Sequence, residues 1–246
     1  MADYDNRVLR GRTATAGVID AGLRAYMLRV YNYMLIGLAL TGATAWITAE
    51  TPFGQLFYHI NPVTHQLGMT FLGLVALFAP LGLVLLMSFR INRMSVGAAQ
   101  GTFWAYAALV GIGIAPILLV YTGASVALVF FISAATFGAM SLFGYTTRSD
   151  LSGFGSFLFM GLIGVVIAMV VNMFLHSAMM TFVISVVGVL VFTGLTAYDT
   201  QWIKESYVAN EDGTATGRKA IFGALRLYLD FLNLFLMMMQ LLGNRR

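Results

Sequence analysis

The sequence predicts an all-α integral membrane fold that crosses the bilayer about seven times. Three observations carry this reading. Only 10% of the 246 residues are charged and 59% are hydrophobic, whereas a soluble domain clothes itself with roughly 25% charge; the mean hydropathy is +0.84. The charges sit in short clusters, and the uncharged stretches between them are long enough for one or two crossings of about 20 residues each. Within lipid every backbone polar group needs an internal partner, so apolar stretches of this length are helices.

The elements follow in order. Residues 1–29 form an N-terminal segment expected to face the cytoplasm. It holds Arg7, Arg10, Arg12, Arg24 and Arg29 together with three aspartates. It lacks the apolar core and cleavage site of a signal peptide. Val18, Ile19, Leu23, Tyr26, Met27 and Val30 recur at helical spacing, with Asp20 and Arg24 on another side, which predicts a short interfacial helix. Residues 30–243 form the transmembrane domain and 244–246 a tail. The first span runs from Val30 to Ala49. Residues 51–66 read as loop, with two prolines and two histidines. A second span runs from about Leu67 to Phe89, with Pro80 inside it as an expected kink.

The uncharged stretch from Met94 to Thr147 splits at Tyr121–Ser125 into two spans, near 98–121 and 124–146. That from Leu151 to Tyr198 splits around Asn172–Ser177. Residues 204–219 read as a hydrophilic loop, and a last span covers Ala220 to Gly243. Ala39 with Ala43, and Gly161 with Gly164, are the expected points of close helix approach. Lys and Arg precede span one and follow spans two, four and six, while the alternate loops have none. The N-terminus and the even-numbered loops are therefore expected in the cytoplasm. Arg245 and Arg246 conflict with this, because seven crossings place them outside unless the last segment fails to cross.

Several functions are excluded or disfavoured. With no cysteine there is no disulfide, zinc-thiolate site or thiol nucleophile. The net charge of +4 serves orientation, and no aromatic-interleaved basic patch points to nucleic acid. His59, His65 and His176 fall in outer loops without nearby carboxylates and read as exposed loop residues. The 15 methionines read as adaptable packing. No Walker, Rossmann or HExxH motif occurs, and the chain is read as a membrane protein other than an enzyme.

The candidate chemistry lies in the few ionisable groups inside spans, where such groups are costly and face an interior or a cavity. Asp199 lies in Thr193–Lys204, near the cytoplasmic end of span six. Arg226 and Asp230 lie in span seven. There Arg226, Asp230, Asn233, Met237 and Gln240 recur at spacings of four, three, four and three, which places them on one face as a polar seam. Asp199 and Asp230 can meet if the first turns of span seven project beyond the bilayer. Two such carboxylates share a proton, bind a cation or pair with a base, Arg226 or Arg90. As oxygen-only ligands they favour a hard metal ion such as Ca²⁺. The same seam also reads as interhelical hydrogen-bond glue.

Two segments are similar to a known family. Gly194-Leu-Thr-Ala-Tyr-Asp-Thr-Gln201 and Ala224-Leu-Arg-Leu-Tyr-Leu-Asp-Phe-Leu-Asn-Leu-Phe235, with Phe143-Gly-Tyr145 before Arg148, resemble the Bax inhibitor-1 (transmembrane Bax-inhibitor-motif, or YccA-like) proteins over residues 20 to 243. The resemblance implies six helices wrapped around a central C-terminal seventh. It implies a pH-sensitive calcium leak, with Asp199 and Asp230 as a coupled sensor and Arg90 as a basic latch. No other cofactor is implied. Bacterial relatives are linked to modulation of the membrane protease FtsH and eukaryotic ones to suppression of cell death; the short loops fit the bacterial branch and an inner-membrane location. Arg226 departs from the pattern, since a neutral residue is expected four before the span-seven aspartate; pairing with Asp230 would change the pH response. Two functions follow: a cation channel or transporter gated by the carboxylate pair, or a non-conducting regulator that binds a partner such as FtsH. An intramembrane aspartyl protease is rejected, because Leu227-Tyr-Leu-Asp230 is not GxGD.

Overall fold

The computed structural model describes the backbone of residues 2–60 and 67–246, and the side chains of residues 21–59 and 68–246. The described side chains begin after Val18, Ile19 and Asp20, and His65 also lies outside them. Seven helices follow one another: α1 (Ala2–Glu50), α2 (Phe71–Arg90), α3 (Val96–Val120), α4 (Gly123–Thr146), α5 (Ser152–Leu175), α6 (Ala178–Glu205) and α7 (Gly213–Leu242). Each is long and apolar enough to cross a membrane, α1 through its Ala21–Glu50 part. The first span and the residues before it are one continuous helix.

The polar residues between the apolar runs set the boundaries. Thr70, Ser95, Thr122 and Ser177 stand just before α2, α3, α4 and α6, and each side chain accepts a hydrogen bond from the backbone N–H three residues on. Each cap satisfies one of the orphan donors that a helix start leaves. The α5–α6 turn is held by Asn172, whose Oδ1 accepts from Ser177 N at 3.0 Å and whose Nδ2 donates to Thr181 at 2.8 Å. His176 occupies the left-handed position of that turn, at φ 51°.

Two boundaries differ from the sequence expectation. Leu67–Met69 is not the start of a span: it pairs antiparallel with Tyr58–Ile60 as β2 and β1 of a small hairpin, preceded by a 3₁₀ turn at Pro52–Leu56. Three-residue strands are too short to show an alternating pattern. Helix α7 begins at Gly213, seven residues before Ala220, because its first two turns are polar and only the later ones read as apolar. Pro116, inside α3, has no N–H for the carbonyl of Ile112 four residues earlier. The Tyr58 hydroxyl donates to that carbonyl at 2.9 Å, which ties the hairpin to α3.

Helix α7 is the most enclosed element: 72% of its most apolar stretch is buried, against 39% in α6 and 11% in α5. It packs on α1, α3, α4 and α6, while α2 lies chiefly on α3 and α5 chiefly on α6. Of the expected points of close helix approach, Gly161 is one, since a Cβ there would lie 3.1 Å from Val191 of α6, and the others are not. Ala39 and Ala43 are exposed, and a Cβ at Gly164 would meet nothing within 4 Å. Gly111 instead faces the backbone of Thr41 across the α1–α3 contact, and Gly144 faces the backbone of Ala197 across α4–α6.

The last helix runs the full depth of the bundle. Near its start, Arg218 donates to the carbonyls of Asn92 and Met94 in the α2–α3 turn. After its end, the amide of Thr122 donates to Asn244 O, and the amide of Arg246 donates to Val120 O. The tail thus docks on the α3–α4 turn, at the opposite end of α3. Fusing a topology reporter to each end of the chain is expected to place the two on opposite sides of the membrane; both on one side would remove a crossing. Gly144→Leu is expected to cost at least 1–3 kcal/mol of stability through overpacking, and Gly164→Leu close to none, as read by thermal unfolding in detergent.

Candidate functional site

Helices α6 and α7 bring the two recognisable motifs face to face. In α6 several residues from Gly194 onward make contacts that position the site. Gly194 leaves room for Leu158 of α5, and Ala197 lies against Gly144. The Tyr198 ring covers Gly155. Thr200 hydrogen-bonds Ser141 at 2.9 Å, and Ser141 in turn bonds the Tyr31 hydroxyl at 2.6 Å. Gln201 clamps the α4–α5 turn, accepting from Leu151 N and donating to Ser149 O, both at 2.8 Å. These contacts fix the turn of α6 from which Asp199 projects. In the turn itself Asp150 accepts from the Ser152 amide at 2.8 Å, and hydrogen bonding by Ser152 holds its carboxyl below the usual carboxylate range.

In α7, Tyr228 is fully buried. Its hydroxyl hydrogen-bonds Thr41 of α1 at 2.7 Å, and its ring meets Phe103 and Tyr106 of α3 edge-on. Phe231 packs against Phe130 and Phe137 of α4. With α7 gripped on these sides, its polar face turns to α6.

Arg226 crosses to Asp199, with Nε on Oδ2 at 3.0 Å and the second guanidinium nitrogen on Oδ1. This is the two-pronged geometry in which Arg and carboxylate bind best. The guanidinium also lies over the Trp202 ring, 4.4 Å from its centre. The expected partner was Asp230, one turn further along α7. Helical side chains lean toward their own N-terminus, so Arg226 reaches back and sideways to α6, away from Asp230. Asp230 is buried close to Asp199 on the facing side of α7. One of its oxygens, Oδ2, is buried with no hydrogen-bond partner among the described residues.

The cluster therefore holds two buried carboxylates and one guanidinium. If both carboxylates ionise, one negative charge remains uncompensated in a medium that tolerates isolated charge poorly. A single shared proton or one bound cation restores balance. Trp202 connects the cluster to an opening at the end of the bundle. It lines a cavity of about 350 Å³ with Phe222, Ser206, Glu211 and Lys219, the last two joined at 2.7 Å.

The other candidates lie elsewhere. Arg90 is exposed and bonds neither carboxylate; the guanidinium at the pair comes from Arg226. Asn233 turns to its own helix, donating to Leu229 O at 2.8 Å, and Gln240 accepts from Ser185 at 2.7 Å near the far end of α7. His59 is exposed and lines a cavity of about 750 Å³ beside Glu50 and Tyr58. Among the described residues no group of three or more potential metal ligands occurs. The role of Trp202 was missed: its position three residues after Asp199, on the same helix face, is the signal that could have found it.

Arg226→Leu is expected to destabilise the protein by about 3 kcal/mol, because it strands a buried carboxylate. Adding Asp199→Asn should recover part of that loss, so that the double change costs less than the two single changes summed. Thermal unfolding of the four proteins in detergent measures this coupling.

Comparison with known proteins agrees with the two motifs. A family model described as "Inhibitor of apoptosis-promoting Bax1" matches residues 23–246. A Rickettsia prowazekii protein is 44% identical over 246 residues, covering 100% of both chains. The Escherichia coli inner membrane protein YbhL is 44% identical over 228 residues, 92% of this chain and 94% of its own. A Caulobacter vibrioides protein is 43% identical over 229 residues, 93% of this chain and 92% of its own. With the matched family model reaching from α1 to the end of the chain, this seven-helix membrane protein belongs to the Bax inhibitor-1 family.

Proposed function

We propose that the chain is a pH-sensitive cation leak of a bacterial inner membrane, with Ca²⁺ as the permeant ion and the Asp199–Asp230 pair as its gate. One observation supports this most directly: a buried carboxylate pair holds only one guanidinium, so its charge balance depends on one further proton or cation. At about 4 Å and an effective dielectric near 20, two full charges repel by roughly 4 kcal/mol. A repulsion of that size acts across the α6–α7 contact, so loss of the shared proton changes how the two helices meet.

The ligand set favours passage over storage. Ca²⁺ takes six to eight oxygens, and two carboxylates supply at most about four. An ion at the pair keeps much of its water and leaves readily. Arg226 competes for the same oxygens and acts as the latch, the role expected of Arg90 by family resemblance. Its seat on Trp202, beside the 350 Å³ cavity, gives it somewhere to withdraw when an ion arrives. The Lys and Arg distribution supports a cytoplasmic location for that cavity. The inner-membrane location rests on the composition and on the printed name of the Escherichia coli relative.

The test is Ca²⁺ flux into proteoliposomes that contain only this protein, from pH 5 to 8. Asp199→Asn and Asp230→Asn are each expected to abolish the same pH transition, and the double variant to add little to either. Independent, additive effects would show that the carboxylates act separately. No flux at any pH would reduce the pair to a structural device and leave the alternative, a non-conducting regulator acting on a partner such as the FtsH protease.

A further inference from the structure

Helices α1 and α4 meet through the Tyr31–Ser141 hydrogen bond and otherwise leave a groove of about 490 Å³ between them. Its lining is charged at the mouth and mostly apolar further in, where the Tyr31 and Ser141 hydroxyls satisfy each other. At the mouth stand Arg24 of α1 and Tyr145 of α4. One turn inward are Leu28 and Leu142, both exposed at the bundle surface. Deeper still lie Tyr31 and Gly138. Seven residues separate Arg24 from Tyr31, and seven separate Tyr145 from Gly138, so the groove runs roughly 10 Å along both helices. A Cβ at Gly138 would meet nothing within 4 Å, which leaves that wall flat and open.

The mouth is positively charged. Arg24 makes no ion pair with any described side chain. Lys204 of α6 joins it from the other side: its Nζ donates to Tyr145 O at 2.8 Å and sits 5.6 Å from the centre of the Tyr145 ring. Tyrosine and basic residues at this depth mark the boundary between headgroups and acyl chains. Cations outside, a tyrosine belt next, then leucines and a flat glycine reproduce the polarity sequence of a phospholipid. Basic pockets between transmembrane helices are established seats for anionic headgroups.

We infer that the α1–α4 groove is a binding site for one anionic phospholipid, its phosphate held by Arg24 and Lys204 and an acyl chain lying past Leu28 and Leu142 over Gly138. The seat has a route inward. The Tyr31 hydroxyl borders the groove and bonds Ser141, which bonds Thr200, the residue after Asp199. An occupied groove braces the α4–α6 contact that holds Asp199 in place. The lipid site stands independently of any ion passage through the protein.

Native mass spectrometry of the full chain in mixed phosphatidylglycerol and phosphatidylcholine micelles tests the inference. The unmodified protein is expected to retain one phosphatidylglycerol in preference to phosphatidylcholine. Arg24→Gln should lower that preference about fivefold without changing thermal stability. Gly138→Leu, which fills the groove from its open wall, should reduce retention of both lipids. Equal retention of the two lipids by the unmodified protein would overturn the proposal. So would full phosphatidylglycerol retention in folded Gly138→Leu, which would move the lipid to the general surface.

Discussion

The two-pronged bond from Arg226 to Asp199 joins the most enclosed helix of the bundle to its neighbour. Neither partner tolerates the low-dielectric interior alone. The bond therefore constrains more than two residues. Asp199 is placed by the Gln201 clamp on the α4–α5 turn and by the Ser141–Thr200 link. Arg226 is placed by the grip of Tyr228 and Phe231 on the other sides of α7. The packing of α1, α3 and α4 on α7 sets the rotation of α7, and that rotation decides which carboxylate the guanidinium meets.

The spans were legible because bilayer thickness imposes a length and lipid imposes helicity. Even the turns were close, since Ser and Thr caps stand where uncharged stretches had to break. The β1–β2 hairpin was hidden because three-residue strands leave no periodic trace. The polar first turns of α7 were hidden because hydropathy does not distinguish a projecting helix from a loop. At the site, the two aspartates stood out by their cost inside lipid, and their meeting followed from matching depths. The partner of Arg226 was not legible. Spacing along one helix proposes an intrahelical pair, while side-chain lean and an antiparallel neighbour decide otherwise. Arg90 carried its expected role only by family pattern, and its exposed position at the end of α2 leaves it apart from the pair.

Hydroxyl groups do much of the work that charge does in a soluble protein. Tyr58 takes up the carbonyl that Pro116 leaves free, Tyr228 joins α7 to α1 through Thr41, and Ser185 meets Gln240. Where side chains cannot serve, backbones come together at Gly111 and Gly144. These devices are local, and each leaves most of its helix surface apolar for lipid. The charged cluster sits on α7, the helix that α1, α3, α4 and α6 all pack against.

The enclosure of α7 has a consequence for assembly order. Ribosomes deliver the helices from α1 onward, so α7 reaches the membrane after the six others. It is also the span with an arginine and an aspartate near its middle, and therefore a poor candidate for residence among acyl chains. The earlier helices must hold open a slot whose walls already display Asp199, Thr41 and the aromatic rings of α3 and α4. The partial bundle thus acts as the template for its own final member. The tail that docks on the α3–α4 turn then latches the inserted helix from the far side.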